Sequence, residues 1–127
     1  MKFLSEEKPS NLPGKSVITV LITFPPNGAS PPHTHSGAAV TALVHTGKVL
    51  DQMNDGEPFI SKPGETFSES PGCHHNRGEN AGGPGEEASF FAVMVIDTKT
   101  IEESGYEALL VVDAEVEEKK REKAEGK

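Results

Sequence analysis

At 127 residues the chain is long enough for one domain around a single hydrophobic core. Its 13 glycines and 10 prolines, the absence of Trp and a hydrophobic content of 34% suit a turn-rich β fold better than a helical bundle. A formal net charge of −8 argues against nucleic acid or an anionic membrane surface as partner, because both require a basic face.

Residues 1–14 are polar and contain prolines, so they read as an N-terminal arm, ordered by docking on a partner subunit. Charge appears there at once, with no apolar signal region. Lys15–Phe24 is rich in β-branched residues and predicts a strand, broken by Pro25-Pro26-Asn27-Gly28. Ala38–Thr46 predicts the next strand, ending at Gly47, and Lys48–Met53 returns from it. Asn54-Asp55-Gly56-Glu57 has the composition of a hairpin turn. Pro58–Ser61 and Glu65–Glu69 are short strands around the turn at Pro63-Gly64, and Pro71-Gly72 closes the second. Gly78–Glu87, with four glycines and a proline, reads as a surface loop. Ser89–Asp97 is the most hydrophobic strand and therefore central. Ala108–Val112 suits a last strand or an edge segment. The body thus spans 15–112, and 113–127 is a charged C-terminal tail with the pair spacings of a solvated helix. Short strands between regular turn signals predict an all-β sandwich or barrel. The apolar stretches fall short of the roughly 18 residues of a membrane helix. The lone Cys73 rules out an internal disulfide and fits a reducing compartment, so the expected location is cytoplasmic.

All five histidines lie between positions 33 and 75. His33-Thr34-His35 on an extended segment puts two imidazoles on one face, because side chains alternate along a strand. His75, following the Pro71-Gly72 turn, is placed to reach the same point from a neighbouring strand. The neighbouring His74 should point the opposite way. Alternation from Val40 puts Val40, Ala42 and Val44 on the inward face and turns His45 away from it. Glu69, just before a turn, either faces solvent or enters the interior as a carboxylate ligand or general base; buried there, it would need a metal or a proton beside it. Phosphate-binding loops, nucleophile elbows and calcium loops are absent.

These residues carry a family resemblance over roughly residues 15–97. Gly28, His33-Thr34-His35, Val40 and Gly47 follow one cupin motif, with Val40 where the family has a glutamate. Gly64, Ser70-Pro71-Gly72, His75 and Asn80 follow the second. The chain resembles the cupin superfamily, and in particular the small single-domain cupins of bacterial and fungal secondary metabolism. That resemblance implies a double-stranded β-helix, or jelly-roll barrel, with a short charged C-terminal helix or tail. It carries the family's histidine ligands onto His33, His35 and His75, with Glu69 as a replacement carboxylate. The cofactor expected is a divalent transition metal (Fe, Mn, Ni, Cu or Zn). Val40, Ala42, Val44 and Phe67 are the candidate pocket wall. The expected function is metal-dependent enzymology on a small organic molecule, aromatic or polyketide-derived. Its chemistry would be dioxygen activation by an oxygenase, or Lewis-acid action of a lyase, isomerase or cyclase. The competing expectation is a non-catalytic small-molecule-binding module. The family also implies a homodimer.

Overall fold

The structure, a computed structural model, describes residues 1–115. Two antiparallel sheets face one another. The strands are β1 (Lys2–Glu7), β2 (Lys15–Phe24), β3 (Ala29–Ser30), β4 (His33–Thr34), β5 (Ala39–Thr46), β6 (Val49–Met53), β7 (Phe59–Ser61), β8 (Thr66–Glu69), β9 (His75–Asn80), β10 (Ala88–Asp97) and β11 (Val111–Val112). The first sheet runs β1-β2-β10-β5-β8; the second runs β11-β4-β9-β6-β7, with β3 also on β9. The short strands and turns predicted an all-β sandwich or barrel, and this is the jelly-roll arrangement that the family resemblance implies. A short helix, α1 (Thr98–Ser104), follows β10, and one 3-10 turn leads into β11.

Alternation builds the interior. Along β5, Val40, Ala42 and Val44 are buried while Thr41 and Leu43 face out; along β10, Phe90, Ala92, Met94 and Ile96 are buried. Register then lines these residues up in rows across the first sheet. Ile18, Met94, Val40 and Glu69 form one row; Val20, Ala92, Ala42 and Phe67 form the next. The first row is apolar until its last member, so a carboxylate is delivered to the inside of an otherwise hydrophobic layer. The second has alanines at its centre, where larger side chains would fill the barrel. Each fully buried side chain such as Ile18 or Met94 contributes about 1.5–3 kcal/mol of apolar transfer.

The turns agree with their residues. Asn54 takes the left-handed conformation (φ 52°) in the hairpin turn, and the Gly56 amide donates to the Met53 carbonyl at 3.0 Å. Gly47 has φ +69°, and a Cβ there would lie 2.4 Å from the Glu87 carbonyl oxygen, so both conformation and space demand glycine.

Three segments differ from the sequence reading. Residues 2–7 of the arm pair with β2 of the same chain, where Phe3 packs on Tyr106 at 4.9 Å. The unpaired edge of β2 supplies the backbone partners that the polar composition did not reveal. The Gly78–Glu87 segment begins as strand, because Gly78, Glu79 and Asn80 complete β9. Glycine is there for clearance beside His75 rather than for a turn. The helical stretch within the body, α1, was not anticipated. The helix proposed for the charged tail falls on residues of which 116–127 lie outside the described part.

Candidate metal centre

His33 and His75 are direct partners across β4 and β9, so both rings project from adjacent strands of the second sheet into the barrel. His35 follows one alternation later. Ring centroids lie 4.8 Å apart for His33–His35 and for His33–His75, and 6.4 Å apart for His35–His75. One ring nitrogen from each falls within 4.8 Å of the others, and all three residues are buried. From the opposite sheet Glu69 reaches the same point: its Oε2 lies 3.1 Å from His35 Nε2 and its Oε1 lies 3.5 Å from His75 Nδ1. With 5% of its surface exposed, Glu69 belongs to the interior rather than to a solvated strand end.

Hydrogen bonds to the far side of each ring decide which nitrogen is free. His33 Nδ1–H donates to the Pro31 carbonyl at 2.7 Å, and His35 Nδ1–H donates to the Leu109 carbonyl at 2.6 Å. A carbonyl oxygen can only accept, so both Nδ1 atoms carry hydrogen, and in the neutral rings Nε2 holds the lone pair. His75 donates its Nε2–H to Asp51 Oδ1 at 2.8 Å. Rings anchored at one nitrogen and open at the other are the arrangement seen for metal-binding histidines.

The electrostatics suit a cation. Burial lowers the His33 pKa to about 4, leaving the ring neutral at neutral pH and free to act as a ligand. Burial also acts to lower His35 and to raise Glu69, but their contact with one another outweighs it, so His35 is raised and Glu69 is lowered. Burial raises Asp51 against the opposing pull of His75. Glu69 thus stays ionised only with positive charge beside it, which a protonated His35 or a bound cation supplies. Three buried polar atoms have no hydrogen-bond partner among the described residues: His35 Nε2, Glu69 Oε1 and Asp51 Oδ2. The His35–Glu69 contact has ion-pair distance but not hydrogen-bond geometry. Donor atoms aimed past one another, toward a shared point, fit a metal ion. The donor set of imidazoles plus a carboxylate fits a divalent transition metal.

The site opens on a cavity of about 350 Å³. Its walls are Ile22, Phe24, Phe90, Ala92, Met94 and Leu110, with Val40 beside the histidines. No lysine or arginine side chain lines it among the described residues. Of the candidate pocket residues only Val40 borders this cavity. Ala42, Val44 and Phe67 are buried in the adjoining core, where Phe67 packs edge-on against Phe90 at 5.4 Å. His45 lies on the outer face against Phe91. His74 Nε2 contacts the Asp113 carboxylate at 2.8 and 2.9 Å, away from the site.

Two contributors escaped the sequence reading. Asp51 is fully buried behind His75; its signal was its parity with Val49 along β6, which makes it an inward carboxylate. The second is the 108–113 segment. Leu109 anchors His35, the Ser36 hydroxyl donates to the Ala108 carbonyl at 2.7 Å, and Val112 pairs with His33. Backbone carbonyls leave no residue signature, so no sequence pattern announces this strap.

Residues 20–94 match the family model described as a cupin domain. The chain is a cupin. Among solved structures, this cupin is similar to the Schizosaccharomyces pombe Cnp3 cupin domain, at 19% identity and TM-score 0.58, covering 81% of this chain and 66% of that one. It is similar to oxalate oxidase in complex with the substrate analogue glycolate, at 24% identity and TM-score 0.54, covering 70% of this chain and 48% of that one. It also resembles a conserved Klebsiella pneumoniae protein with a double-stranded β-helix domain, at 20% identity and TM-score 0.54, covering 76% of this chain and 79% of that one. Identities this low speak for the fold alone. The cupin spans about half of the oxalate oxidase chain and about two thirds of the Cnp3 domain. No curated protein matches it. No helix among the described residues is long and apolar enough to cross a membrane.

Proposed function

We propose that this cupin is a metal-dependent enzyme that acts on a small, largely apolar organic molecule, aromatic or polyketide-derived. The observation that carries the reading is the convergence of three anchored histidines and the buried Glu69 carboxylate at the end of an apolar cavity. His33 and His35 would hold a divalent Fe, Mn, Ni, Cu or Zn ion, with His75 and Glu69 completing the protein donors. When bound, such an ion supplies a Lewis acid, or a place for dioxygen beside the substrate. Val40 occupies the family's glutamate position and lies directly opposite Glu69 across β5 and β8. The negative charge of the site is therefore kept and moved to the neighbouring strand.

The chain's own residues suggest the rest. Phe24, Phe90, Met94 and Leu110 exclude water and bind apolar surface. Glu69 Oε1, which lacks a hydrogen-bond partner, is the atom positioned to take or return a substrate proton. Glu69 lines the cavity and no lysine or arginine side chain does so among the described residues, so a dicarboxylate would find its counter-charge at the metal alone, in an otherwise apolar pocket. The oxalate oxidase likeness is accordingly not read as a shared substrate. Oxygenase chemistry is the first assignment, with lyase, isomerase or cyclase chemistry next.

A non-catalytic binding module is the second reading, favoured by Val40 itself. Metal analysis of protein purified without an affinity tag separates the two. About one Fe, Mn or Zn per chain is expected, lost in a His33→Ala/His35→Ala variant. No metal as purified, and none regained on addition of Fe, Mn or Zn, would overturn the enzyme reading. Dioxygen uptake with small phenols and enolisable diketones, against oxalate as the negative comparison, then assigns the reaction class. The exposed Phe3 and Leu4 on edge strand β1 support a homodimer joined through that edge, which sedimentation would test. The lone buried Cys73 supports a cytoplasmic location.

A further inference from the structure

His75 is held differently from the other two histidines. His33 and His35 are anchored through Nδ1 by backbone carbonyls and leave Nε2 open. His75 is anchored through Nε2 by the Asp51 carboxylate, and its Nδ1 is the atom that faces Glu69. We infer that Asp51 is a positioning residue that makes His75 bind the metal through Nδ1, giving a mixed donor set with Nε2 of His33 and His35. This rests on the metal-dependent reading above and deepens it.

Several independent features build the arrangement. Asp51 is fully buried on β6, and its Oδ2 has no hydrogen-bond partner among the described residues, so its desolvation cost is offset through the Oδ1 bond to His75. Asp51 and Gly78 are direct partners across β6 and β9. A Cβ on Gly78 would sit 3.2 Å from both Cε1 and Nε2 of His75 and 3.8 Å from Asp51 Oδ1. Glycine therefore gives the ring room to lie over the strand with Nε2 against the carboxylate. Turning the ring over about its Cβ–Cγ axis would exchange Nε2 with Cε1 and lose the one side-chain hydrogen bond that Asp51 makes among the described residues. The carboxylate–imidazole pair thus fixes the tautomer with hydrogen on Nε2 and a lone pair on Nδ1.

The test uses Zn²⁺, which is diamagnetic, with the whole 127-residue chain. Long-range ¹H–¹⁵N correlation spectra identify the protonated and the metal-bound nitrogen of each imidazole. For the zinc-loaded protein, His75 should show a metal-bound Nδ1 and a protonated Nε2, with the reverse for His33 and His35. Asp51→Leu, which removes the acceptor but keeps an apolar side chain in place, should weaken zinc binding about 10- to 100-fold in competition titrations. Asp51→Asn, which retains an acceptor oxygen, should recover most of that affinity. Gly78→Ala should weaken binding while Asp51 is intact, because the ring must shift. Circular dichroism of each variant checks that it folds. Metal bound through Nε2 of His75, or unchanged affinity in folded Asp51→Leu, would overturn the inference while leaving a metal-binding cupin in place. A protein that binds no zinc at all would overturn both.

Discussion

Moving the carboxylate from β8 to β5 tests whether Glu69 stands in for the family's glutamate. Val40 and Glu69 are direct cross-strand partners, 4% and 5% exposed, so their Cβ atoms are about 4.5–5.5 Å apart. Glu69→Val removes the charge and leaves an apolar group in an apolar row. Removing one member of the buried Glu69–His35 pair strands the other, so the metal-free variant should melt below the parent temperature. Its zinc affinity should fall as well, by at least about 10- to 100-fold, or about 1.4–2.8 kcal/mol. Val40→Glu alone places two carboxylates about 5 Å apart, a repulsion of about 3 kcal/mol at an effective dielectric constant near 20. That variant should be destabilised without metal. The double variant Val40→Glu/Glu69→Val should bind zinc within about tenfold of the parent, a coupling above about 1 kcal/mol in the cycle. Isothermal titration with zinc and thermal unfolding in chelator measure both sides. Two results refute the reasoning: Glu69→Val binding zinc as tightly as the parent, or a double variant that binds no better than Glu69→Val.

Further outcomes follow from the same geometry. Ile18→Ala, in the middle of β2 opposite Met94, should lower unfolding free energy by about 2–5 kcal/mol in a urea titration, because both residues are sealed in the core. Gly47→Ala should cost at least about 1–2 kcal/mol by the same assay, as backbone atoms of Glu87 and Ala88 block the new methyl group and φ is positive. Zinc at 100 times its dissociation constant should raise stability by about 2.7 kcal/mol over chelator-treated protein, seen as a higher melting temperature. His45→Ala should leave zinc affinity unchanged, since that ring lies on the outer face against Phe91.

Much of this molecule is written in local pattern. The β-branched run Lys15–Phe24 became β2 with those bounds, and alternation from Val40 correctly turned His45 outward. Period-two alternation is a property of the strand itself, so it survives without knowledge of neighbours. The turns at Asn54–Glu57, Pro63-Gly64 and Pro71-Gly72 are equally local, because glycine, proline and asparagine set their own dihedral angles. The pairing of His33-Thr34-His35 with His75 needed only the family's motif order and strand geometry.

What tertiary structure alone decided is where side chains from different strands meet. Alternation gives Glu69 a face, but only the β5–β8 register places it opposite Val40 and within 3.1 Å of His35. Pairing with β8 and β10 sets Ala42, Val44 and Phe67 in the core while Val40 borders the cavity. Asp51 shares a face of β6 with Val49, but only the sheet that pairs it with Gly78 buries it behind His75. The carbonyls of Pro31 and Leu109, which set the tautomers of His33 and His35, carry no residue identity at all. Sequence therefore determined the fold class and the three histidines, because strand period and turn chemistry are local. The placement of Glu69 beside the histidines, the orientation of each ring and the apolar cavity are long-range contacts, fixed only when the two sheets close.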